Sequence, residues 1–315
     1  FWLKTVLVRG ARMFTRHYNN TEAVPLVWGS LATSDQQASM APPMAFAVVG
    51  AFVFMALANF LAMKKFFGGK DNKEISDSNP TFVTPDGATF GIWGFIYMLE
   101  ALLVFAQVYW ANDPENQHLM GQLCPLTGMD VRARLILAFV ANGIWLPTFN
   151  NEWFVAGLGI MAAYYGFLLS VYYSLSSASH GLTQAVIYVS GISMNTSWIT
   201  VATVLSAFFC AGRAGWRDRN GVAGSPLAAK AVVVGVALVA IACLARCLDM
   251  AWAFTAAWAL RGIFRMQTID DKVRFPIGSL DDSLGRLART ASYSVIGAML
   301  VGALYYFRRG EPGRF

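Results

Sequence analysis

Residues Pro85–Trp110 read PDGATFGIWGFIYMLEALLVFAQVYW, an apolar run long enough to cross a bilayer, where roughly 20 residues suffice. Helical spacing puts Phe90, Trp93, Tyr97 and Glu100 on one face of this run. Three aromatic rings and a carboxylate therefore look the same way, with the acid near the middle of the segment. An ionisable group at that depth is costly unless it faces a protein interior or a cavity. The face that carries it is the first place to seek a function.

The rest of the chain has the same character. Of its 315 residues 56% are hydrophobic and only 13% charged. Soluble domains carry about 25% charged residues, so the composition points to the membrane class. The net charge of +6 is spread over several loops, which argues against nucleic acid and fits contact with anionic lipid headgroups. The four cysteines, Cys124, Cys210, Cys243 and Cys247, show no CxxC or Cys/His spacing, so no metal site is expected.

Working outward, the fold expected is an all-α polytopic transmembrane bundle of about eight spans, with six or seven as alternatives. Residues 1–41 form a polar arm whose first 20 positions carry Lys4, Arg9, Arg12 and Arg16 and no acid. That pattern resembles an organellar targeting sequence. An extra span occupies 42–66, ending at Lys64 and Lys65. A bundle covers 67–265, and a charged loop with a last span fills 266–315. Within the bundle, spans three and four meet at the Asn150-Asn151-Glu152 turn and must pack antiparallel. Span four carries Tyr164, Tyr165, Tyr172 and Tyr173, and the aromatic residues near its far end suit an interfacial belt. The 19-residue segment Asn112–Asp130 is too long for a plain connection, and docking on a neighbour is one reading. Arg265–Arg289 reads as a solvated loop.

Three polar residues fall near span centres: Glu100 in span two, Asn142 in span three and Asn195 in span five. Trp93, Trp145 and Trp198 share faces with them, all on one side of the midplane. A polar floor under a box of indoles suits a flat, conjugated or amphipathic ligand. Ordinary interhelical hydrogen bonds and packed aromatics would give the same pattern.

Four stretches carry a family resemblance: EISDSNPTFVTPDGATFGIWGFIY (74–97), ANGIWLPTFNNEW (141–153), SWITVATVLS (197–206) and DMAWAFTAAWALRGI (249–263). They are similar to the TspO/MBR family of tryptophan-rich sensory proteins, and most of all to its longer members. The resemblance implies a five-helix core in spans two to six. It also implies a central pocket for a tetrapyrrole, sterol or related lipid, and a tendency to form homodimers. By motif position it makes Pro85, Phe90, Gly91, Trp93, Tyr97, Asn142, Trp145 and Trp198 pocket or framework residues. The chain departs from the short members in three places. Trp93 stands one residue earlier relative to Phe90-Gly91, Met194-Asn195 replaces a Pro-Tyr pair, and Ser206 replaces an Asn.

The ligand-binding set expected is Phe90, Trp93, Tyr97, Glu100, Asn142, Trp145, Asn195 and Trp198. The ligand would be a tetrapyrrole (porphyrin or chlorophyll), a carotenoid, a sterol or a lipid. A pigment magnesium would need Glu100, Gln107, Asn142 or Asn195, or a backbone carbonyl or water, as axial partner, since His17, His118 and His180 all lie outside the spans. No nucleophile–base pair suggests an enzyme. The alternative is an accessory subunit of a large organellar complex, photosynthetic or respiratory, in contact with other membrane subunits and lipid.

Overall fold

The computed structural model describes residues 34–179, 181–268 and 281–309. The chain divides into two compact units at Ala38/Ser39, and the first lies almost wholly outside the described residues, as does most of the expected N-terminal arm. Eight helices have 18 or more residues: α1 (Ser34–Met63), α3 (Ile92–Tyr109), α5 (Val131–Asn150), α6 (Phe154–Ala178), α7 (Ser190–Arg213), α8 (Pro226–Cys247), α9 (Met250–Thr268) and α10 (Asp282–Arg309). Two short helices, α2 (Asn72–Ser78) and α4 (Pro114–Met120), sit between them. The described residues contain no strand, only isolated bridges at Thr81, Arg217 and Ala223.

Six of the long helices are long and apolar enough to cross a membrane. The two that fall short in hydropathy are α5 and α9, whose sequences include Arg132, Arg134, Arg261 and Arg265. The count of apolar spans among the described residues is thus six, the lower end of the expected range.

Helix α7 is the hub. It continues a short turn, Gly181–Gln184, and a π-helical turn, Ala185–Val189, and packs against α3, α6 and α9. Its contact with α3 depends on a missing side chain. A Cβ on Gly191 would come within 2.8 Å of the backbone of Leu99 and Glu100. Glycine lets the two backbones touch there, as small residues do between membrane helices. Helix α9 holds the start of α3 in the same manner. Gly262 leaves room for Pro85, the Asp86 N–H donates to the Gly262 carbonyl (3.1 Å), and the Trp258 Nε1–H donates to the Thr89 carbonyl (2.8 Å). Arg265 adds an ion pair to Asp86 at 3.2 Å.

Several sequence expectations need correction. Helix α1 begins at Ser34, inside the stretch read as arm. The polar connection after it holds α2, whose Asp71 and Glu74 form a reciprocal capping box. The Asn112–Asp130 segment, read as too long for a plain connection, holds the short helix α4 and makes contacts within the chain that leave docking on a neighbour untested. Asn116 reaches the carbonyls of Gln107 and Trp110, and the Tyr188 hydroxyl donates to Asn116. Of the stretch read as a solvated loop at 265–289, α9 takes the residues up to Thr268 and α10 those from Asp282 on, and the rest lies largely outside the described residues. The tyrosines of α6 divide. Tyr173 is exposed, whereas Tyr164 is fully buried and Tyr172 donates its hydroxyl to Asp249 (2.7 Å). The α5–α6 turn does join an antiparallel pair, and Asn150 and Asn151 use their side-chain amides to hold the carbonyls of Lys70 and Phe67.

Candidate functional site

The face of α3 singled out in the sequence splits into two environments. Its first turns open onto a cavity of 380 Å³, whose lining includes Phe90, Trp93 and Tyr97 from the α3 side, Asn142, Trp145 and Phe149 from α5, and Trp198 and Ser206 from α7. The 3₁₀ turn Gly87–Gly91 delivers Phe90, and α3 carries Trp93 and Tyr97 one and two turns on. The rings are ordered against each other. Trp198 meets Phe90 edge-on at 5.6 Å between centroids and Trp93 at 6.3 Å, while Trp93 stacks on Tyr97 at 5.1 Å. Trp145 stacks on Phe149 at 4.7 Å across the space. These are the offset and edge-on geometries that aromatic quadrupoles favour.

The cavity has a polar end. Asp71, Asn72, Lys73 and Ser76 of the α2 region line it, beside the exposed Met63 at the end of α1. Several buried polar atoms around the cavity lack a hydrogen-bond partner: Asn72 Oδ1, Ser76 Oγ, the Tyr97 hydroxyl and Trp145 Nε1. Buried polar groups are ordinarily satisfied, so a wall with several free ones is suited to receive a ligand's own donors and acceptors.

One turn beyond Tyr97 the surroundings change. Glu100 is fully buried and does not line the cavity. Its Oε1 accepts from the Asn195 side-chain amide at 2.6 Å, and the same nitrogen donates to the Tyr164 hydroxyl at 2.6 Å. Asn142 lies next to that hydroxyl and accepts from the Asn59 amide of α1 at 3.0 Å. A polar chain thus runs Asn59–Asn142–Tyr164–Asn195–Glu100 through five helices. It passes under the aromatic cavity and touches it at Asn59 and Asn142.

Of the eight binding residues expected from the sequence, six line one cavity: Phe90, Trp93, Tyr97, Asn142, Trp145 and Trp198. Glu100 and Asn195 meet each other instead, in a closed contact between α3 and α7. Gln107 is also engaged elsewhere, donating to the Ala45 carbonyl (2.9 Å) and accepting from Arg132 Nε (3.2 Å). As axial ligands for a pigment metal, Glu100, Asn195 and Gln107 are therefore poorly placed, and Asn142 is the one of the four that faces the cavity. Sequence reasoning missed Asn59 and the role of Tyr164. Asn59 falls near the end of the flanking span, where an amide gives no midspan signal of the kind that marked Asn142.

The comparisons with known proteins agree with the geometry at the level of the family. No curated protein and no solved structure matches the chain. The sequence model described as TSPO-like protein matches residues 45–303, beyond the 74–263 over which motifs can be recognised by eye. With most of its length matched, from α1 into α10, the chain belongs to the TSPO-like protein family.

Proposed function

We propose that the chain is a non-catalytic binding protein for a flat, amphipathic, ring-bearing ligand of the tetrapyrrole, pigment, sterol or lipid class, held in the aromatic cavity. The observation that carries this reading is the convergence of Phe90, Trp93, Tyr97, Asn142, Trp145 and Trp198 from three helices on one 380 Å³ space. That volume lies within the range of about 300–1,000 Å³ common for small-molecule sites. Stacking on the indoles supplies affinity. The free polar atoms of Ser76, Tyr97 and Trp145 set orientation, with the ligand's polar end toward α2 and Lys73. The opening beside Met63 and Lys73 leads to the end of α1, the level at which an amphipathic molecule partitions in a bilayer. A macrocycle larger than the cavity would project through that opening.

An organellar membrane is the setting this reading favours, on the strength of the basic, acid-free first 20 residues. The accessory-subunit alternative rests on the long loops and the helices added to the five-helix core.

The test is direct. Porphyrin added to the purified protein in mild detergent should quench tryptophan fluorescence saturably, and a sterol should compete. Trp198→Ala should weaken binding by about tenfold, the worth of one well-placed aromatic contact. A protein that neither quenches with porphyrin nor gains thermal stability with sterol does not bind this class. Comigration with a megadalton assembly on native gels, together with that result, would favour the subunit alternative.

A further inference from the structure

A second concavity lies away from the aromatic cavity, between α9 and α10. It has a volume of 410 Å³, and Phe254 and Trp258 of α9 and Ile296, Met299 and Leu300 of α10 form its walls. Its lining is apolar almost throughout. Phe254, Ile296 and Leu300 are exposed along it, so the groove opens outward rather than into the bundle. The two helices run antiparallel, with Met250 near Gly302 at one end and Gln267 near Gly285 at the other. The groove therefore runs about 17 Å along the helix axis from Met250 to Arg261, at 1.5 Å per residue.

Arg261 closes one end of the groove. It is exposed, and neither a hydrogen bond nor an ion pair engages it among the described residues. One turn further along α9, Arg265 is committed to Asp86. One turn before Ser292 on α10, Arg289 lies over the Phe264 ring at 5.5 Å and makes no ion pair there. Arg261 thus lines one end of an outward-facing apolar groove, and Arg289 lies one helical turn from its lining residue Ser292, neither with a carboxylate partner among the described residues. A charged side chain on a helix packed among membrane spans ordinarily pairs or marks a binding path. Basic pockets between such helices suit anionic lipid headgroups.

We propose that this groove is a binding site for one anionic phospholipid. An acyl chain lies along Phe254, Trp258, Ile296 and Leu300, and the phosphate is held by Arg261 and Arg289. The phosphodiester accepts charge-assisted hydrogen bonds from the guanidinium forks, for which arginine geometry is well matched. The chain fills an apolar slot that water would otherwise wet at the membrane boundary. The site is independent of the aromatic cavity, and it stands or falls separately from the ligand class assigned there.

Native mass spectrometry of the full chain in mild detergent tests it, with phosphatidylglycerol and phosphatidylcholine of the same acyl composition as probes. One phosphatidylglycerol should bind saturably and in preference to phosphatidylcholine. Arg261→Gln should cut that preference by about fivefold, and Arg261→Gln with Arg289→Gln should abolish it. Ala303→Phe, which fills the far end of the groove, should weaken both lipids alike. Helical circular dichroism and the thermal unfolding midpoint should stay at wild-type levels and show that each variant is folded. Equal binding of the two lipids by the wild type would overturn the proposal, as would a preference that survives the double substitution. A lipid-free dimer that Ala303→Phe dissociates would assign the groove to a second copy instead.

Discussion

Helix α3 presents one face to two different neighbourhoods, and the contrast between them is instructive. At Phe90, Trp93 and Tyr97 the facing helices stand apart and leave a cavity. At Glu100, one turn on, α7 closes to backbone contact through Gly191, and Asn195 caps the carboxyl at 2.6 Å. The side chains follow one helical period throughout, so period cannot distinguish a binding wall from an interhelical lock. What separates them is the partner helix. A glycine on α7 draws the backbones together at Glu100, while at the other level the bulk of Trp145, Phe149 and Trp198 props α5 and α7 away from α3.

The sharpest way to break the lock is at that glycine. Gly191→Leu should cost at least about 2–3 kcal/mol, because an added side chain meets backbone that cannot rotate away. Thermal unfolding in detergent would show it, and Gly191→Ala should give a smaller loss of the same sign. An unchanged midpoint for Gly191→Leu would mean that α3 and α7 do not touch here. Asn195→Ala comes next, at about 1–3 kcal/mol, since it leaves a buried carboxyl and the Tyr164 hydroxyl without their shared donor. It should leave porphyrin quenching at the aromatic cavity nearly untouched.

Glu100→Gln sharpens the same division. Read from sequence, this residue belongs with the ligand, and its loss of charge should weaken binding. Its place outside the cavity lining predicts affinity within about twofold of wild type, a difference of under half a kcal/mol. By contrast, Trp93→Ala should weaken the ligand by about tenfold.

A further effect of small size lies outside the spans. Hydrogen bonding and charge from Lys70, with Arg213 adding to it, hold the Glu152 carboxyl below its ordinary value near 4.5. A depressed acid contributes stability that is complete above its unfolded value and is lost as pH falls through the folded one. The unfolding midpoint should therefore drop as pH is lowered below about 4.5, and Glu152→Gln should flatten part of that slope by under ~1 kcal/mol. A slope identical in the variant would assign the pH dependence to other acids.

Much of the fold was legible because membrane helices announce themselves by length and apolarity. All eight long helices correspond to expected spans, and the aromatic face of α3 follows from spacing alone. The six cavity residues were readable for the same reason, as each repeats at helical period. What escaped the reading depends on contacts between distant segments. Trp258 and Gly262 look like unremarkable members of a small-residue helix until α9 is seen resting on the Pro85–Thr89 turn. Tyr164 is one of four tyrosines in α6, and only the register of α6 against α7 puts its hydroxyl on Asn195. The short helix α2 was hidden within a polar stretch, although its Asp71–Glu74 capping box was present in the sequence.

The Trp258–Thr89 hydrogen bond joins residues 169 positions apart. A ribosome delivering about 5–20 residues per second releases the second of them on the order of ten seconds or more after the first. Throughout that interval the entry to α3 waits for its latch, and a nascent protein stopped before α9 would carry every aromatic wall of the cavity without the strap that fixes the first. The order of synthesis thus runs from the cavity's aromatic walls first to their fastening last.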